Sequence, residues 1–498
     1  MTYGIIKLFA LFSVLSLVLY FLAPKKYRHI ALLIASLICV GYYSHGGVVY
    51  LLITIMTSYG AGLMMELINE RHDTKGLEKS ERKRIRALCK SRKKWVVLGY
   101  AIINIGILFS LKYYKMFFPT GEIPIFIKIA MPLGISYYTL QSLSYVIDVY
   151  RGKYKGENDI FKLALFIGYL PQLHEGPFGR YDAYIKDMCK NEPIKWNNFY
   201  NGCATILWGL FKIFMVANRA AIIADNVFSN KEYGGFTIFL GGVAFTLQLY
   251  AEFSGYIDLA RGISEIFDIK LAKNFDMPFI AKDVSEFWRR WHISLGEWFR
   301  DYVFYPVSTA KIFRKAPDFI TINCALLCVW FLTGLWHGAS WKYVVYGLYY
   351  FVLMVILNLI TPAFTKLCER FSIDGENKLF TVVRILLTQI LVVIGMIMFR
   401  ASDLNAFQEM MISMVKGGAG IDLLGVIDIK EFVVLLISLI VLILPAVLQT
   451  KGLVLREKYN EMSSIKKYLV CFGAVCFVII FGAYGLDYIP PDPIYGGF

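Results

Sequence analysis

The 498-residue sequence is poor in charged residues and in proline. Lys, Arg, Asp and Glu make up only 18 % of it, and the 15 prolines are spread over its whole length. A chain with so little charge is not expected to fold as a row of soluble domains. Aromatic residues reach 16 %, which together with the scarcity of proline excludes a disordered or low-complexity chain.

The sequence also lacks the motifs of soluble enzymes and of metal sites. It contains no P-loop, no dinucleotide-binding glycine fingerprint, no nucleophile elbow and no His-Glu-x-x-His helix. Its nine cysteines are an odd number, and no second ligand pair follows Cys324 and Cys328. We therefore predict neither a disulfide framework nor a metal site, and we expect most cysteines, such as Cys39 and Cys203, to be small buried hydrophobic residues.

Long apolar runs are what the sequence has in abundance, because hydrophobic residues make up 57 % of it. Runs of about 20 residues are long enough to cross a hydrocarbon core of ~30 Å. A shorter run at 160–173 is too short to cross alone and is expected to dip in and return, or to pair with a second short piece. The first run has no cleavage site after it and is expected to be retained as a helix. The predicted spans are 5–23, 30–43, 47–67, 96–114, 131–150, 201–222, 235–257, 318–335, 341–361, 380–398, 431–449 and 468–486. The sequence thus predicts an all-α polytopic membrane protein, with one transmembrane domain over 1–486 and its core motifs at 131–361.

The net charge of +15 is concentrated in short loops between these runs, with eleven Lys and Arg in the segment Arg71–Lys94. This placement is typical of cytoplasmic loops and argues against a nucleic-acid partner. If Arg71–Lys94 is cytoplasmic, every strongly basic loop falls on the same side. The N-terminus and the tail 487–498 then face the outside. The basic loop is expected to act as a topology signal, with contact to anionic lipid headgroups as the alternative.

The longest polar stretch, Gly262 to Tyr302, carries large apolar residues at helical spacing. This is an amphipathic pattern with a Trp-rich face, which is suited to lying at the membrane interface. The residues concerned are Phe287, Trp288, Trp291, Leu295, Trp298 and Phe299.

Two of the six histidines lie where chemistry is plausible. His337 is between spans 318–335 and 341–361, followed by Gly338 and Ala339, and an imidazole can accept a proton from a hydroxyl near neutral pH. The alternative is a hydrogen-bonded core histidine. His292 follows Arg289 and Arg290, which could bind a phosphate or pyrophosphate, or could simply be interfacial residues.

Two further segments place polar groups or helix breakers in apolar surroundings. Glu252 and Asp258, at the end of span 235–257, indicate an interior polar cavity, with helix packing through Ser254 and Gly255 as the alternative. The dipeptide Gly176-Pro177 is expected to break a helix in or near the membrane, or to form a plain loop turn.

Ordered motifs over some two hundred residues are similar to those of the membrane-bound O-acyltransferase (MBOAT) superfamily. They are closest to its bacterial branch, which contains the alginate O-acetyltransferase membrane subunit and the teichoic-acid D-alanyl transfer protein. Two departures are Glu175 and Ile257, at positions where alginate-type members usually have Ala and Ser. The motifs are Met131–Gly152, Gly176-Pro177 with Arg180, Phe253–Asp258, Asn274-Phe275 with Pro278, Glu286–Leu295 and Trp336–Ala339.

The resemblance implies a fold of about 11–13 transmembrane or re-entrant helices around a central tunnel, and acyl transfer to a hydroxyl group. It implies His337 as the catalytic histidine and His292 as a second one. No bound cofactor is implied. The acyl donor is a co-substrate, either acetyl-CoA or an acyl-carrier thioester. We expect the substrate-binding residues to include Arg289, Arg290, Trp291, Trp336, Ser254, Asp258 and Glu252.

The tail 487–498 ends Tyr495-Gly-Gly-Phe498 and is similar to a Tyr-x-x-Phe motif of D-alanylation systems. Tyr495 is therefore a candidate acyl relay, with a packing role as the alternative. The resemblance further implies a bacterial plasma-membrane location, a secreted or membrane-anchored partner acyltransferase and a cell-surface polymer as acceptor. Acetyl transfer is favoured over two alternatives, D-alanyl transfer to teichoic acid and a non-enzymatic transporter or flippase.

Overall fold

The structure is a computed structural model that describes residues 2–72, 78–118, 132–230, 232–370, 377–417 and 419–484. These residues are almost entirely helical and contain no β-strand, only the isolated bridges Tyr233–Ala419 and Phe275–Trp291. The helices are α1 (Thr2–Leu22), α2 (Arg28–Ser44), α3 (Val48–Glu70), α4 (Lys79–Lys112), α5 (Tyr114–Phe117), α6 (Ile135–Arg151), α7 (Ile160–Gly168), α8 (Leu170–Leu173), α9 (Tyr181–Met188), α10 (Trp196–Phe211), α11 (Asn218–Ser229), α12 (Phe236–Ile266), α13 (Val284–Arg290), α14 (Ile293–Phe299), α15 (Tyr305–Ser308), α16 (Asp318–His337), α17 (Trp341–Arg370), α18 (Lys378–Arg400), α19 (Leu404–Lys416), α20 (Leu423–Val426), α21 (Ile429–Thr450), α22 (Leu455–Glu461) and α23 (Ser464–Phe481).

Within the described residues, ten helical stretches are long and apolar enough to cross a membrane, which confirms the predicted all-α polytopic class. One of them, Lys25–Glu70, contains two predicted spans, because α2 and α3 are joined only by a short turn. The predicted span 131–150 is absent from the ten. Its helix α6 has 17 residues, which at 1.5 Å per residue reach only about 26 Å.

The short apolar run 160–173 forms the two short helices α7 and α8, so the prediction that it does not cross alone is confirmed. Asp159 caps α7, because its carboxylate accepts hydrogen bonds from the backbone N–H groups of Phe161 and Lys162. After α8 the chain is non-helical as far as Arg180 and yet buried, and Glu175 has a φ of 53°. The predicted helix break at Gly176-Pro177 is therefore a buried loop.

The contacts divide the described chain into two compact helical units. The first comprises Thr2–Gly202 and Ala260–Ala272, and the second comprises Cys203–Leu259 and the residues from Lys273 onward. The prediction of a single transmembrane domain over 1–486 stays a prediction. Both candidate histidines, His292 and His337, belong to the second unit, whose core is unusually rich in Phe, Tyr and Trp.

The predicted amphipathic segment does not present a Trp-rich face to the membrane interface. The segment forms two seven-residue helices, α13 and α14, which are interrupted at Trp291 and His292. Its large residues are not a membrane-facing surface, since Trp291, Leu295 and Trp298 are each less than 5 % exposed. The cysteines also differ from expectation: Cys39 is buried, but Cys203, Cys324 and Cys328 are only partly buried.

A π-helical turn at Lys212–Ala217 joins α10 to α11 and holds the end of the last helix. The Phe214 carbonyl accepts a hydrogen bond from Arg219 Nη1 at 3.0 Å and another from the backbone N–H of Ala483 at 3.0 Å. Asn218 Nδ2 donates to the Ala483 carbonyl at 2.8 Å. Such turns free backbone groups from the α-helical pattern and are frequent at functional sites.

Candidate active site

Two glycines let α10 and α12 approach closely enough to bury an ion pair. A Cβ atom on Gly209 would lie 2.6 Å from the Gly255 carbonyl oxygen, so neither position has room for a side chain. Such close contact of glycines is typical of membrane helices. It confirms, for Gly255, the alternative prediction of helix packing. One turn further along each helix, Lys212 Nζ lies 2.7 Å from Asp258 Oδ2, and both side chains are no more than 10 % exposed. The negative charge of Asp258 is thus paired with the positive charge of Lys212 inside the second unit.

The segment between α12 and α13 folds back along the residues that follow α13. Phe275 and Trp291 form an antiparallel bridge, and the backbone N–H of Asp276 donates to the Arg290 carbonyl at 2.8 Å. The backbone N–H of Ile293 donates to the Asn274 carbonyl at 3.0 Å. These long-range hydrogen bonds replace helical ones and hold the interruption between α13 and α14 in place.

His292 occupies this interruption with a φ of 49° and a ψ of 48°, the left-handed conformation that non-glycine residues seldom adopt. Its ring packs edge-on against Phe253, with centroids 4.7 Å apart, and against Trp336, with centroids 5.5 Å apart. The side chain is buried, and burial lowers the pKa of His292 to about 3. The imidazole is therefore neutral at physiological pH.

Asn274 determines which ring nitrogen of His292 carries the proton. Asn274 Oδ1 accepts hydrogen bonds from the backbone N–H of Ser294 at 2.9 Å and from Ser294 Oγ at 2.8 Å. Because a backbone N–H can only donate, this amide atom must be the oxygen, and the amide nitrogen then faces His292 Nδ1 at 3.4 Å. Because an amide N–H that faces Nδ1 requires this nitrogen to accept, we assign the proton of the neutral ring to Nε2, where His292 would present a hydrogen-bond donor.

His337 is the last residue of α16, which packs tightly against α17. A Cβ atom on Gly334 would lie 2.3 Å from the Tyr343 carbonyl oxygen, and one on Gly347 would lie 2.2 Å from the Trp330 carbonyl oxygen. The hairpin of α16 and α17 therefore depends on glycine at both contacts, and it places His337 at the turn between the two helices.

The side chain of His337 is buried among aromatic rings. Its ring centroid lies 5.0 Å from that of Trp336, 5.3 Å from Phe399 and 5.8 Å from Tyr346. Trp336 contacts both imidazoles, because its ring also packs against His292. The structure thus brings three predicted site residues, His292, Trp336 and His337, into one cluster.

The two arginines beside His292 do not form one binding fork. Arg290 Nη2 and Nε both donate to Glu286 Oε1, at 2.7 and 2.9 Å, and its Nη1 donates to the Asp276 carbonyl at 3.0 Å. Arg289 is exposed and donates to Ser285 Oγ at 2.9 Å. The two guanidinium groups thus have separate partners, and their role in binding a phosphate stays a prediction. Burial tends to raise the pKa of Glu286, but hydrogen bonds from the Lys282 backbone and from Arg290 outweigh it, and the pKa is lowered.

The remaining predicted substrate-binding residues lie in the core around this cluster. Trp291 is almost fully buried and packs face-on against Phe287, with centroids 5.4 Å apart. Glu252 and Ser254 are buried on α12 and flank Phe253, the residue whose ring touches His292. Tyr495 lies outside the described residues.

Sequence reasoning gave no role to Lys212, to Phe399 or to Asn274. Lys212 could have been found, because a lysine within an apolar run is costly unless it is paired. Asn274 stands in a quoted motif, but nothing local shows that its amide contacts a residue 18 positions later. Phe399 is an ordinary apolar residue in an apolar run, and only the packing shows that it touches His337.

The cluster has the groups that acyl transfer to a hydroxyl needs. One imidazole is assigned as a neutral hydrogen-bond donor, and a second packs edge-on against the same indole in aromatic surroundings. Hydrogen bonds are stronger in such low-dielectric sites, and donors held in place there stabilise developing charge better than in water.

A family model described as MBOAT, the membrane-bound O-acyltransferase family, matches residues 157–399, which include the whole cluster. The chain is also 30 % identical over 410 residues to the probable alginate O-acetylase AlgI of Pseudomonas putida, an alignment that covers 80 % of this chain and 77 % of that relative. The chain belongs to the membrane-bound O-acyltransferase family. As a member it is a multi-pass membrane enzyme that transfers acyl groups to oxygen.

Two other relatives of this O-acyltransferase carry different names. It is 31 % identical over 279 residues to the teichoic acid D-alanyltransferase of Bacillus subtilis, covering 54 % of this chain and 68 % of the relative. It is 28 % identical over 361 residues to the peptidoglycan O-acetyltransferase of Helicobacter pylori, covering 65 % of each chain.

Proposed function

We propose that this O-acyltransferase moves an acetyl group from a cytoplasmic activated donor to hydroxyl groups of an exported cell-surface polysaccharide or cell-wall polymer. The observation that carries the proposal is the contact of both imidazoles, His292 and His337, with the single indole of Trp336. The acetyl group is supported by the extent of similarity, since the match to an alginate O-acetylase covers 80 % of the chain and the match to a D-alanyltransferase covers 54 %.

In the proposed reaction His337 is the general base. The acceptor oxygen attacks the carbonyl carbon of a thioester, either acetyl-CoA or an acyl-carrier thioester, while the imidazole takes the hydroxyl proton. The new C–O bond forms, the C–S bond breaks, and the proton passes to the leaving thiolate. A positioned base contributes roughly 10²–10⁴ to the rate. The enzyme uses no bound cofactor in this scheme.

His292 has a different role in the proposal, because its Nδ1 accepts from Asn274 and its proton lies on Nε2. A neutral N–H donor can stabilise the negative charge that develops on the carbonyl oxygen of the thioester. Burial keeps the ring neutral, so it donates throughout the physiological pH range.

The topology is part of the same proposal. With the basic loop Arg71–Lys94 in the cytoplasm of a bacterial plasma membrane, the N-terminus and the tail 487–498 are extracytoplasmic. The acyl group then leaves on the outer face, with Tyr495 as a relay and a secreted or membrane-anchored acyltransferase as the partner that completes transfer to the polymer.

Transfer of D-alanine to a teichoic acid is the second candidate, supported by the 31 % identity to a D-alanyltransferase and by the Tyr-x-x-Phe end of the tail. The two candidates differ in the acid that they attach through an ester bond. Both use the same histidines, so the site alone does not separate them.

Mild-base release of ester-linked acids from washed envelopes separates the two candidates. We expect acetate to be released in larger amounts when the wild-type chain is expressed than when it is deleted. A difference in D-alanine with no difference in acetate would replace acetyl transfer by the second candidate. No difference in either acid would contradict the proposed function as a whole.

A further inference from the structure

The end of α18, which contacts His337, has no glycine cap. The helix ends at Arg400, and no glycine follows it in the short loop before α19 to turn the chain and satisfy the last carbonyl groups. The backbone N–H of Ala401 donates to the Ile397 carbonyl, so the carbonyls after Ile397 need donors from outside the helix. Phe399 and Ala401 are both buried, where a carbonyl without a donor is costly.

Lys342, in the first turn of α17, supplies this donor. Its Nζ donates to the Phe399 carbonyl at 3.1 Å and to the Ala401 carbonyl at 2.6 Å, and it lies 4.7 Å from the centroid of the Tyr343 ring. The macrodipole of its own helix disfavours a cation in the first turn, so α17 alone does not explain a lysine at this position. The negative end of α18 does. Lys342 therefore acts as the C-terminal cap of a neighbouring helix.

The ring of Phe399 forms an edge-to-face triangle with His337 and Tyr346. The centroids are 5.3 Å apart for Phe399 and His337, 5.2 Å for Phe399 and Tyr346, and 5.8 Å for His337 and Tyr346. Tyr343 packs against the same Phe399 ring at 5.1 Å. Because both tyrosines belong to α17, the position of the end of α18 relative to α17 determines how closely the triangle confines the imidazole. All of these residues belong to the second unit.

We propose that Lys342 is a positioning residue for the reaction, which holds Phe399 against His337 through the end of α18 and thereby keeps the imidazole in one orientation. The proposal rests on the proposed function, in which His337 is the general base. A displacement of about 1 Å can cost on the order of 10² in rate, because proton transfer requires alignment with the hydroxyl. Without the two hydrogen bonds of Lys342 the end of α18 is released, and the ring of Phe399 no longer confines the imidazole.

The first test measures the confinement of His337 without acyl transfer. The purified full chain in lipid nanodiscs is treated with diethylpyrocarbonate, and the modification rate of each histidine is followed by mass spectrometry, with His72 as the internal reference. We expect Lys342→Met to raise the relative rate at His337 at least fivefold. Lys366→Met, the same substitution at an exposed position farther along α17, should leave it unchanged.

Lys342→Gln is a milder variant, because it keeps a shorter, neutral donor. It should raise the modification rate of His337 at least twofold, and it carries the test if Lys342→Met does not reach the membrane. A rate at His337 that stays at the wild-type value in the Lys342 variants that fold would overturn the proposal.

The second test measures the kinetics of acyl transfer by the same proteins. Lys342→Met should lower kcat by roughly 10- to 100-fold and change the KM for the acyl donor less than twofold, because only the alignment of the base is lost. Lys342→Arg keeps a cationic donor and should retain at least a third of the wild-type kcat. A loss in KM alone would overturn the proposal.

A double-mutant cycle shows whether Lys342 acts through Phe399. Phe399→Leu should lower kcat by a similar factor, and the double variant with Lys342→Met should fall at most about threefold below the weaker single variant. Losses that multiply in the double variant would overturn the proposal. Faster modification of His337 with a wild-type kcat would instead count against His337 as the base, and so against the proposed function.

Discussion

At the scale of single residues, the protonation state of His292 is determined by a neighbour that is remote in sequence. Asn274 Oδ1 accepts hydrogen bonds from Ser294, and its amide nitrogen faces His292 Nδ1. Replacing this nitrogen by an oxygen would therefore change the group that faces His292 from a donor into an acceptor. Burial adds a second constraint, because it lowers the pKa of His292 to about 3. Together they make this ring a donor at Nε2 rather than a base.

Asn274→Asp tests that assignment. The aspartate still accepts from Ser294, but its second oxygen faces His292 Nδ1, which favours a proton on Nδ1 and raises the pKa of the imidazole. Above that pKa the neutral ring no longer donates from Nε2, whereas below it the imidazolium does. We expect the activity of Asn274→Asp relative to wild type to fall about 100-fold at alkaline pH and to recover toward acidic pH.

The measurement is acyl transfer by purified protein as a function of pH, expressed as the ratio of variant to wild type so that the titration of His337 cancels. Asn274→Ala serves as the control, because it removes all three side-chain hydrogen bonds of Asn274 and should be impaired at every pH. A ratio for Asn274→Asp that rises with pH would show that His292 acts as a base.

His292 should also make stability depend on pH. Its folded pKa of about 3 lies below the ordinary value of 6.5, so between these values the unfolded chain binds the proton and the folded chain does not. Stability therefore falls as pH drops below 6.5, by about 2 kcal/mol between pH 7 and pH 5. His292→Gln should lose this part of the dependence in thermal unfolding, while the contribution of His174, whose burial lowers its pKa to about 4, remains. Equal pH dependence of the two proteins would contradict the neutral buried imidazole.

At the scale of helices, the contact of α10 and α12 depends on one pair of glycines and one buried ion pair. Removing one charge leaves the other uncompensated, so Lys212→Met or Asp258→Leu alone should destabilise the protein by about 3–5 kcal/mol. The double variant should be close to wild type in stability and should retain acyl transfer.

Thermal unfolding and acyl transfer of the three variants check this prediction. The double variant also separates an enzyme from a transporter, because charges that line a transport path cannot be removed without loss of function. A stable double variant without acyl transfer would instead support the predicted substrate-binding role of Asp258.

The same helices show where the sequence was informative and where it was not. Apolar runs predict most of the spans, because a bilayer imposes length and hydropathy on each helix separately. The large residues of α13 and α14 stand at helical spacing, yet the chain turns at His292 because Asn274, 18 positions earlier, accepts the hydrogen bonds of Ile293 and Ser294. Contacts of that kind cannot be predicted from local periodicity. Lys212 is an intermediate case, since its burial was predictable but its partner Asp258 was not.

At the scale of the whole molecule, the predicted orientation places α19 and the basic loop Arg71–Lys94 on opposite sides of the membrane. Ser402 lies in the loop after α18, and Ser80 lies near the start of α4; both are exposed. In a background without other cysteines, Ser402→Cys in intact cells should react with a membrane-impermeant maleimide. Ser80→Cys should react only after permeabilisation. The reverse pattern would contradict the predicted orientation.

Ordered motifs were a better guide to the site than any single residue. His337 alone could equally have been a core histidine, and it is the motif Trp336–Ala339 in its place after the others that predicts a catalytic role. The structure adds that Trp336 contacts His292 as well as His337, which motif order does not show. The pairing of Arg290 with Glu286 was likewise not predictable from charge alone.

The most direct test of the central claim is the amount of ester-linked acid that mild base releases from envelopes of cells expressing His337→Ala. His72→Ala, the same substitution outside the cluster, is the control, and the membrane abundance of both variants is measured alongside. We predict normal abundance for both variants, wild-type release for His72→Ala and release at the level of the deletion strain for His337→Ala. Full release from His337→Ala would contradict the assignment of this histidine as the catalytic base.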